Sequence, residues 1–278
     1  MNRRVSCLLL FGMTCFCSRP MLAQDKAAGD RLSTAHAQYY TPTASGLTSF
    51  RCDATIDWKA MLTRFSGAEI AADNPVLKYL QTVHLSVVDQ LQGKGSMEWS
   101  DTETPPEALE ANMKQMREGL QTMMDGFFQS WNAYMNGGMV PLPDKTIDVT
   151  TEGAKTRVHG GSANSKFDED YDQNMLLAQV VVETSELKVV AVPTYVRTDD
   201  GLVVASVASQ VNQPPSAPPM EVTFHVEYAK VGSFRIPSHI VYDVKNVGVV
   251  EVGLSACQVS VADSPQKPAA EQPNRPTK

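Results

Sequence analysis

No stretch of the 278-residue chain reaches the roughly 20 consecutive apolar residues that a membrane-spanning helix needs. Basic residues are in deficit, with Lys+Arg 24 against Asp+Glu 31 and a net charge of −7. That balance excludes the basic face or run by which a protein grips nucleic acid. Histidine is scarce. His36, His84, His159, His225 and His239 include no pair at the close helical spacing of a zinc site. No glycine-rich phosphate loop of the Walker or dinucleotide type is present. Gly160-Gly161-Ser162 lacks the strand before and helix after that make a nucleophile elbow. The chain is therefore expected to hold no metal and no cofactor, and not to be an enzyme. What is present, 42% hydrophobic and 20% charged residues, belongs to a globular protein.

The N-terminus reads as an export signal over residues 1–23. Arg3 and Arg4 supply the positive start, residues 5–17 an apolar stretch too short for an anchor, and Met21-Leu22-Ala23 a cleavage point before Gln24. A buried N-terminal helix and a lipid-anchored variant of the signal are the alternatives. Cleavage after Ala23 removes Cys7, Cys15 and Cys17 and leaves Cys52 and Cys257, which are expected to pair in an oxidising compartment. Such a bridge closes about 200 residues and stabilises by about 4–5 kcal/mol in the chain-entropy account. It requires the first and last strands to lie together. The expected location is periplasmic or secreted.

Residues 24–45 are small and polar, a short helix or a flexible arm. Phe50, Cys52, Ala54, Ile56 and Trp58 then alternate with polar residues, the period of a half-buried strand. A helical turn or two is expected over 59–65, and Asn74-Pro75 caps and opens a short helix to about Leu80. Strands are expected over 82–91 and 96–100. A long helix over 105–136 carries one apolar stripe: Leu109, Met113, Met116, Leu120, Met123, Phe127, Trp131 and Tyr134. At about 1.5 Å per residue it is long enough to cross a whole sheet. Beyond Pro143 the pattern is β throughout: 147–151, 155–159, 175–184, 187–196, 202–211, 221–228, 234–243 and 247–259. Pro193 points to an edge or a bulge. Residues 160–170 read as a polar loop, and 262–278 as a disordered tail.

Two clusters are candidates for chemistry. His225 and Glu227 share a strand face and, with His239, form a candidate acid–base or metal trio; alternating polar positions on the wet side of a sheet explain them better. Asp168, Glu169, Asp170 and Asp172 suit a hard cation by type, but a solvated acidic loop accounts for them without the missing turn glycine. The methionine- and aromatic-rich helix stripe is more informative, because methionine adapts to irregular apolar partners. Met113, Met116, Leu120, Met123, Phe127 and Trp131 are the candidate ligand-binding residues, with ordinary core packing as the alternative for each.

The C-terminal half carries a resemblance. The turn Asp199-Asp200-Gly201, the strand ending Glu227-Tyr228-Ala229-Lys230-Val231 and the run Gly232-Ser233-Phe234-Arg235-Ile236-Pro237-Ser238 resemble the bacterial outer-membrane lipoprotein-sorting and lipoprotein-carrier proteins, the LolA-like group. The likeness lies mainly in residues 175–257. It implies an unclosed antiparallel half-barrel with helices on its concave face and a cavity for acyl chains. The residues independently give an α+β fold, one curved antiparallel sheet covered by helices, as a single domain over 46–261. The expected function is an exported envelope protein that binds a lipid, an acylated protein or another apolar ligand. The alternative is a non-catalytic envelope interaction protein with a filled core and a protein partner. No nucleic-acid partner and no transmembrane helix in the mature chain are expected.

Overall fold

The structure, a computed structural model, describes residues 21–91, 95–101, 103–105, 107–135, 147–162, 164–212 and 218–262. The expected export signal lies outside the described residues as far as residue 20, and the expected tail from residue 263 onward.

A helix α1 (Met21–His36) leads to strand β1 (Leu47–Ile56), helices α2 (Trp58–Ser66) and α3 (Pro75–Leu80), and strands β2 (His84–Gln90) and β3 (Gly95–Ser100). Helix α4 (Glu110–Met135) follows. The rest is a meander: β4 (Ile147–Glu152), β5 (Lys155–Gly161), β6 (Ser165–Tyr171), β7 (Leu177–Thr184), β8 (Lys188–Thr198), β9 (Gly201–Asn212), β10 (Met220–Val231), β11 (Phe234–Val244) and β12 (Gly248–Val261). Among the described residues these strands form one 12-stranded sheet in the order β3-β2-β1-β12-β11-β10-β9-β8-β7-β6-β5-β4, with every strand pair antiparallel. The fold is the expected α+β class, a curved sheet that does not close.

Local chemistry sets the element ends. The Asp57 carboxylate accepts from the Ala60 N–H at 2.9 Å and starts α2. Asn74 accepts from the Val76 and Leu77 N–H groups, and Pro75 opens α3, as the Asn-Pro pair predicts. In β1 the buried residues Phe50, Cys52 and Ala54 alternate with wet ones. Pro193 lies in β8 just past the stretch paired with β7, which ends at Val180↔Ala191, and beside a register shift between Thr194 and Tyr195. Its missing N–H therefore breaks no ladder bond with β7.

The topology sends α4 from one edge of the sheet to the other, since it joins β3 to β4. Its 26 residues run about 39 Å at 1.5 Å per residue, the length such a crossing needs. Below its C-terminal half sits the main core. Phe127 meets Phe224 edge-on at 5.2 Å, Phe128 lies 6.0 Å from Phe50, and Trp131 lies 5.8 Å from Phe50. T-shaped contacts of this kind add to the area buried.

One expectation is refined and one is corrected. Residues 24–45, expected as a short helix or a flexible arm, are the end of helix α1 followed by a docked strap. Leu32 and Ala35 are fully buried, and the strap exchanges backbone bonds with β9, Leu202 N–H to Gln38 O and Tyr40 N–H to Leu202 O, both 2.9 Å. The chain passes so close to the β8–β9 turn that a Cβ on Gly201 would lie 2.8 Å from the Tyr40 nitrogen. Small polar composition suggested looseness, but Leu32, Ala35, Tyr39 and Tyr40 supply enough apolar anchors to dock the segment. The polar loop over 160–170 is mostly strand β6. Phe167, Glu169 and Tyr171 turn inward and Lys166, Asp168 and Asp170 outward. A carboxylate on the inner face hid the period of two.

Cys52 and Cys257 form the expected disulfide, with Cα atoms 4.0 Å apart across 205 residues of sequence. It joins β1 to β12 where the register shifts between Arg51 and Asp53, beside Ala256 at φ 48°. The first and last strands thus lie side by side. Reduction is expected to lower the melting temperature by about 10 °C, since about 4–5 kcal/mol is lost and each kcal/mol moves a domain of this size by a few degrees. Calorimetry with and without reductant, beside a Cys52→Ala/Cys257→Ala double variant, checks it. An unchanged temperature would show that the strand pairing holds without the bridge.

Candidate functional site

β1 stops at Ile56, opposite Val252, so the start of β12 has no strand beyond it. The chain fills this place by turning back as α2. Trp58, Met61, Leu62 and Phe65 of α2 fall at the i, i+3, i+4, i+7 spacing that puts apolar residues on one helix face. This face does not seal against the sheet. Between α2, the N-terminal half of α4 and the β11–β12 turn lies a groove of about 380 Å³, within the size range of small-molecule sites.

Met61, Leu62 and Phe65 form one wall, and Met116, Gly119, Leu120 and Met123 the roof. Tyr242, Val244 and Val250 line the sheet side. Phe65 and Val247 at the rim are 49% and 61% exposed, so the groove opens to solvent. The lining carries no titratable group except the Tyr242 phenol, which burial pushes above its usual range. Apart from that phenol the lining is apolar. It can take an apolar body by excluding water. Three of its α4 residues are unbranched or absent side chains, Met116, Met123 and Gly119, which leaves the roof adaptable.

The six residues expected to bind ligand separate into two groups. Met116, Leu120 and Met123 line the groove. Met113 is buried outside it, and Phe127 and Trp131 are sealed in the aromatic core. The α2 wall was missed by sequence reasoning, although its helical spacing was readable. The sheet side was not readable, since it depends on where β1 ends relative to β12.

The candidate trio of His225, Glu227 and His239 is on the outer face. Glu227 is the register partner of His239 on the neighbouring strand, but both His225 and Glu227 are exposed. His239 lies 3.8 Å from Glu251, which is already paired with Arg64 at 2.6 Å. The acidic cluster is dispersed. Asp168 bonds His159, Asp170 bonds Arg157 at 3.0 Å, and Asp172 accepts from the Asn174 and Leu176 N–H groups at 2.8 Å. Among the described residues no three His, Cys, Asp or Glu side chains are placed to hold a metal ion. The three runs behind the family resemblance do converge: Asp200 accepts from Arg235 Nε at 2.7 Å and lies 3.3 Å from Lys230.

α4 is pinned to the sheet at its last turns by polar groups that sequence reasoning did not single out. Trp131 Nε1 donates to the Tyr228 hydroxyl at 3.0 Å, and that hydroxyl donates to Val204 O at 2.7 Å. Asn132 Nδ2 donates to Asp89 Oδ1 at 2.9 Å. Nearby, Glu169 is 3% exposed and accepts from the Tyr171 hydroxyl. Burial pushes the Glu169 carboxyl up to about 8, against a usual 4.5. A raised carboxylate contributes stability that is whole below about 4.5 and is lost as pH rises to about 8. Stability by urea unfolding is therefore expected to fall from pH 5 to pH 8, and Glu169→Gln should make that slope shallower by about one proton. An identical slope in the variant would show Glu169 to be ionised in the folded state.

Among the described residues no helix is long and apolar enough to cross a membrane. No family model matches the chain, and no curated protein matches it. One solved structure, the crystal structure of MucB in complex with MucA(peri), aligns with 86% of this chain and 100% of that chain at 9% identity and a TM-score of 0.16.

Proposed function

We propose that this chain is an exported, non-catalytic binding protein of the bacterial envelope that carries an acyl chain or another slender apolar ligand in the groove between α2, α4 and the β11–β12 turn. The observation that carries this reading is the groove itself: open at its rim, walled by Met61, Leu62, Phe65, Met116, Leu120 and Met123, and empty of charge. The unclosed sheet with a helix across it agrees with a LolA-like half-barrel, and the Cys52–Cys257 bridge suits an oxidising compartment. The filled core under Phe127, Phe128 and Trp131 favours a second reading, an interaction protein that offers the edge strands β3 or β4 to a protein partner.

The mature protein is expected to bind a fluorescent long-chain fatty acid at one per chain. Gly119 gives a clean test. A Cβ there meets nothing within 4 Å, so Gly119→Leu grows into the groove while improving helix propensity by up to about 1 kcal/mol. Affinity should drop at least tenfold with the melting temperature unchanged or raised. Met123→Glu should do the same by placing a charge in the roof, while Val192→Glu, on an exposed position of β8, should leave affinity unaltered. Equal binding by all four proteins, or none by the parent, would turn attention to the sheet edges.

A further inference from the structure

Asp89 is a fully buried acid with half of its bonding left open. It stands on β2 between Phe50 of β1 and Gly95 of β3, its register partners. α4 comes down on it closely. A Cβ on Gly95 would lie 2.3 Å from Phe128 Cβ and 2.8 Å from Asp89 Oδ1, so only glycine lets helix, acid and edge strand meet. Asn132 of α4 donates one bond to Asp89 Oδ1. The other two polar atoms of the pair, Asp89 Oδ2 and Asn132 Oδ1, are both buried with no hydrogen-bond partner among the described residues.

Both of these orphans are acceptors, and one proton satisfies both. A carboxyl and a carboxamide that share an N–H···O bond can close a second bond through their remaining oxygens if the carboxyl carries a proton. A bare carboxylate here would be an unpaired charge in an apolar core, which is costly. Among the described residues no charged group from β1, β3 or α4 acts on Asp89; burial and the Asn132 bond are the only influences on it. The nearest ionisable residue on its own strand, His84, is exposed at the strand's far end.

We propose that Asp89 is held as the neutral acid in the folded protein, closing a reciprocal hydrogen-bonded pair with Asn132, so that the docking of the last turns of α4 on β2 weakens when Asp89 gives up this proton. The device is independent of what the groove binds. Burial pushes the Asp89 carboxyl up to about 7 from a usual 3.8, which agrees. The contribution is whole below about 3.8, is lost as pH rises to about 7, and is level above that.

The test is a carbon-13 NMR titration of the aspartate carboxyls in the parent protein, with hydrogen exchange across residues 127–135 from pH 4 to 8.5. The Asp89 signal should move near pH 7. Exchange protection of α4, corrected for intrinsic rates, should fall by up to about a hundredfold per pH unit up to that point, about tenfold from each of Asp89 and Glu169. Asp89→Asn keeps the reciprocal pair through its own amide and should remove one proton's worth of that slope, leaving the part due to Glu169. An Asp89 signal that titrates in the ordinary aspartate range would overturn the proposal without any variant. So would a folded Asp89→Asn protein whose α4 loses protection with the parent's slope.

Discussion

The pairing of β1 with β12, riveted by Cys52–Cys257, is the constraint on which the other features depend. It sews the β1–β3 unit to a nine-stranded meander that comes much later in the chain. With that seam in place the edges of the sheet become β3 and β4, the two strands that α4 connects. The helix must then cross the sheet. The place of α2 follows from the same seam, because β1 ends at Ile56 and leaves the start of β12 uncovered. A covalent bond over 205 residues acts on the unfolded chain, restricting its freedom, and so it secures contacts distant in sequence at little cost to the folded form.

Along α4 the physical character changes. The C-terminal half is a rigid joint. Its aromatic rings interlock with Phe50 and Phe224, and Trp131 and Asn132 place directed hydrogen bonds on Tyr228 and Asp89. The N-terminal half is held toward the β3 edge, where Arg117 pairs with Asp101 at 2.8 Å and lies 5.1 Å above the Trp99 ring. Its inner side rests on Met116, Gly119, Leu120 and Met123 over a space that is not filled. Precise packing at one end and adaptable packing at the other let one helix both define the fold and leave a vacancy.

Buried polar groups mark where helix and sheet must register. Hydrophobic contact alone allows a helix to slide or rotate, because it is not directional. A carboxyl, an amide, an indole N–H and a phenol bonded at set distances remove that freedom. Asp89 achieves this as an acid inside an apolar core, and Glu169 is a second buried acid within β6; both tie stability to pH in a way an aliphatic core would not show.

Much of the architecture was legible in the chain. The alternation through Phe50, Cys52 and Ala54, the Asn74-Pro75 cap, the long stripe of α4 and the run of β segments after residue 147 are local patterns, and a local pattern needs only neighbouring residues to be read. The expected pairing of Cys52 with Cys257 told which ends meet. Strand β6 escaped because Glu169 faces inward, and the docking of residues 29–45 escaped because it relies on Leu202 and Arg235 far away. The sequence by itself determined most of the element types, the α+β class and the candidate disulfide pair, since periodicity and cysteine position are properties of the chain alone. Only the tertiary structure decided which part of the α4 stripe is core and which is groove, which acids are buried, and that α2 supplies the missing wall. Those depend on where one strand stops beside another, and no residue carries that information singly.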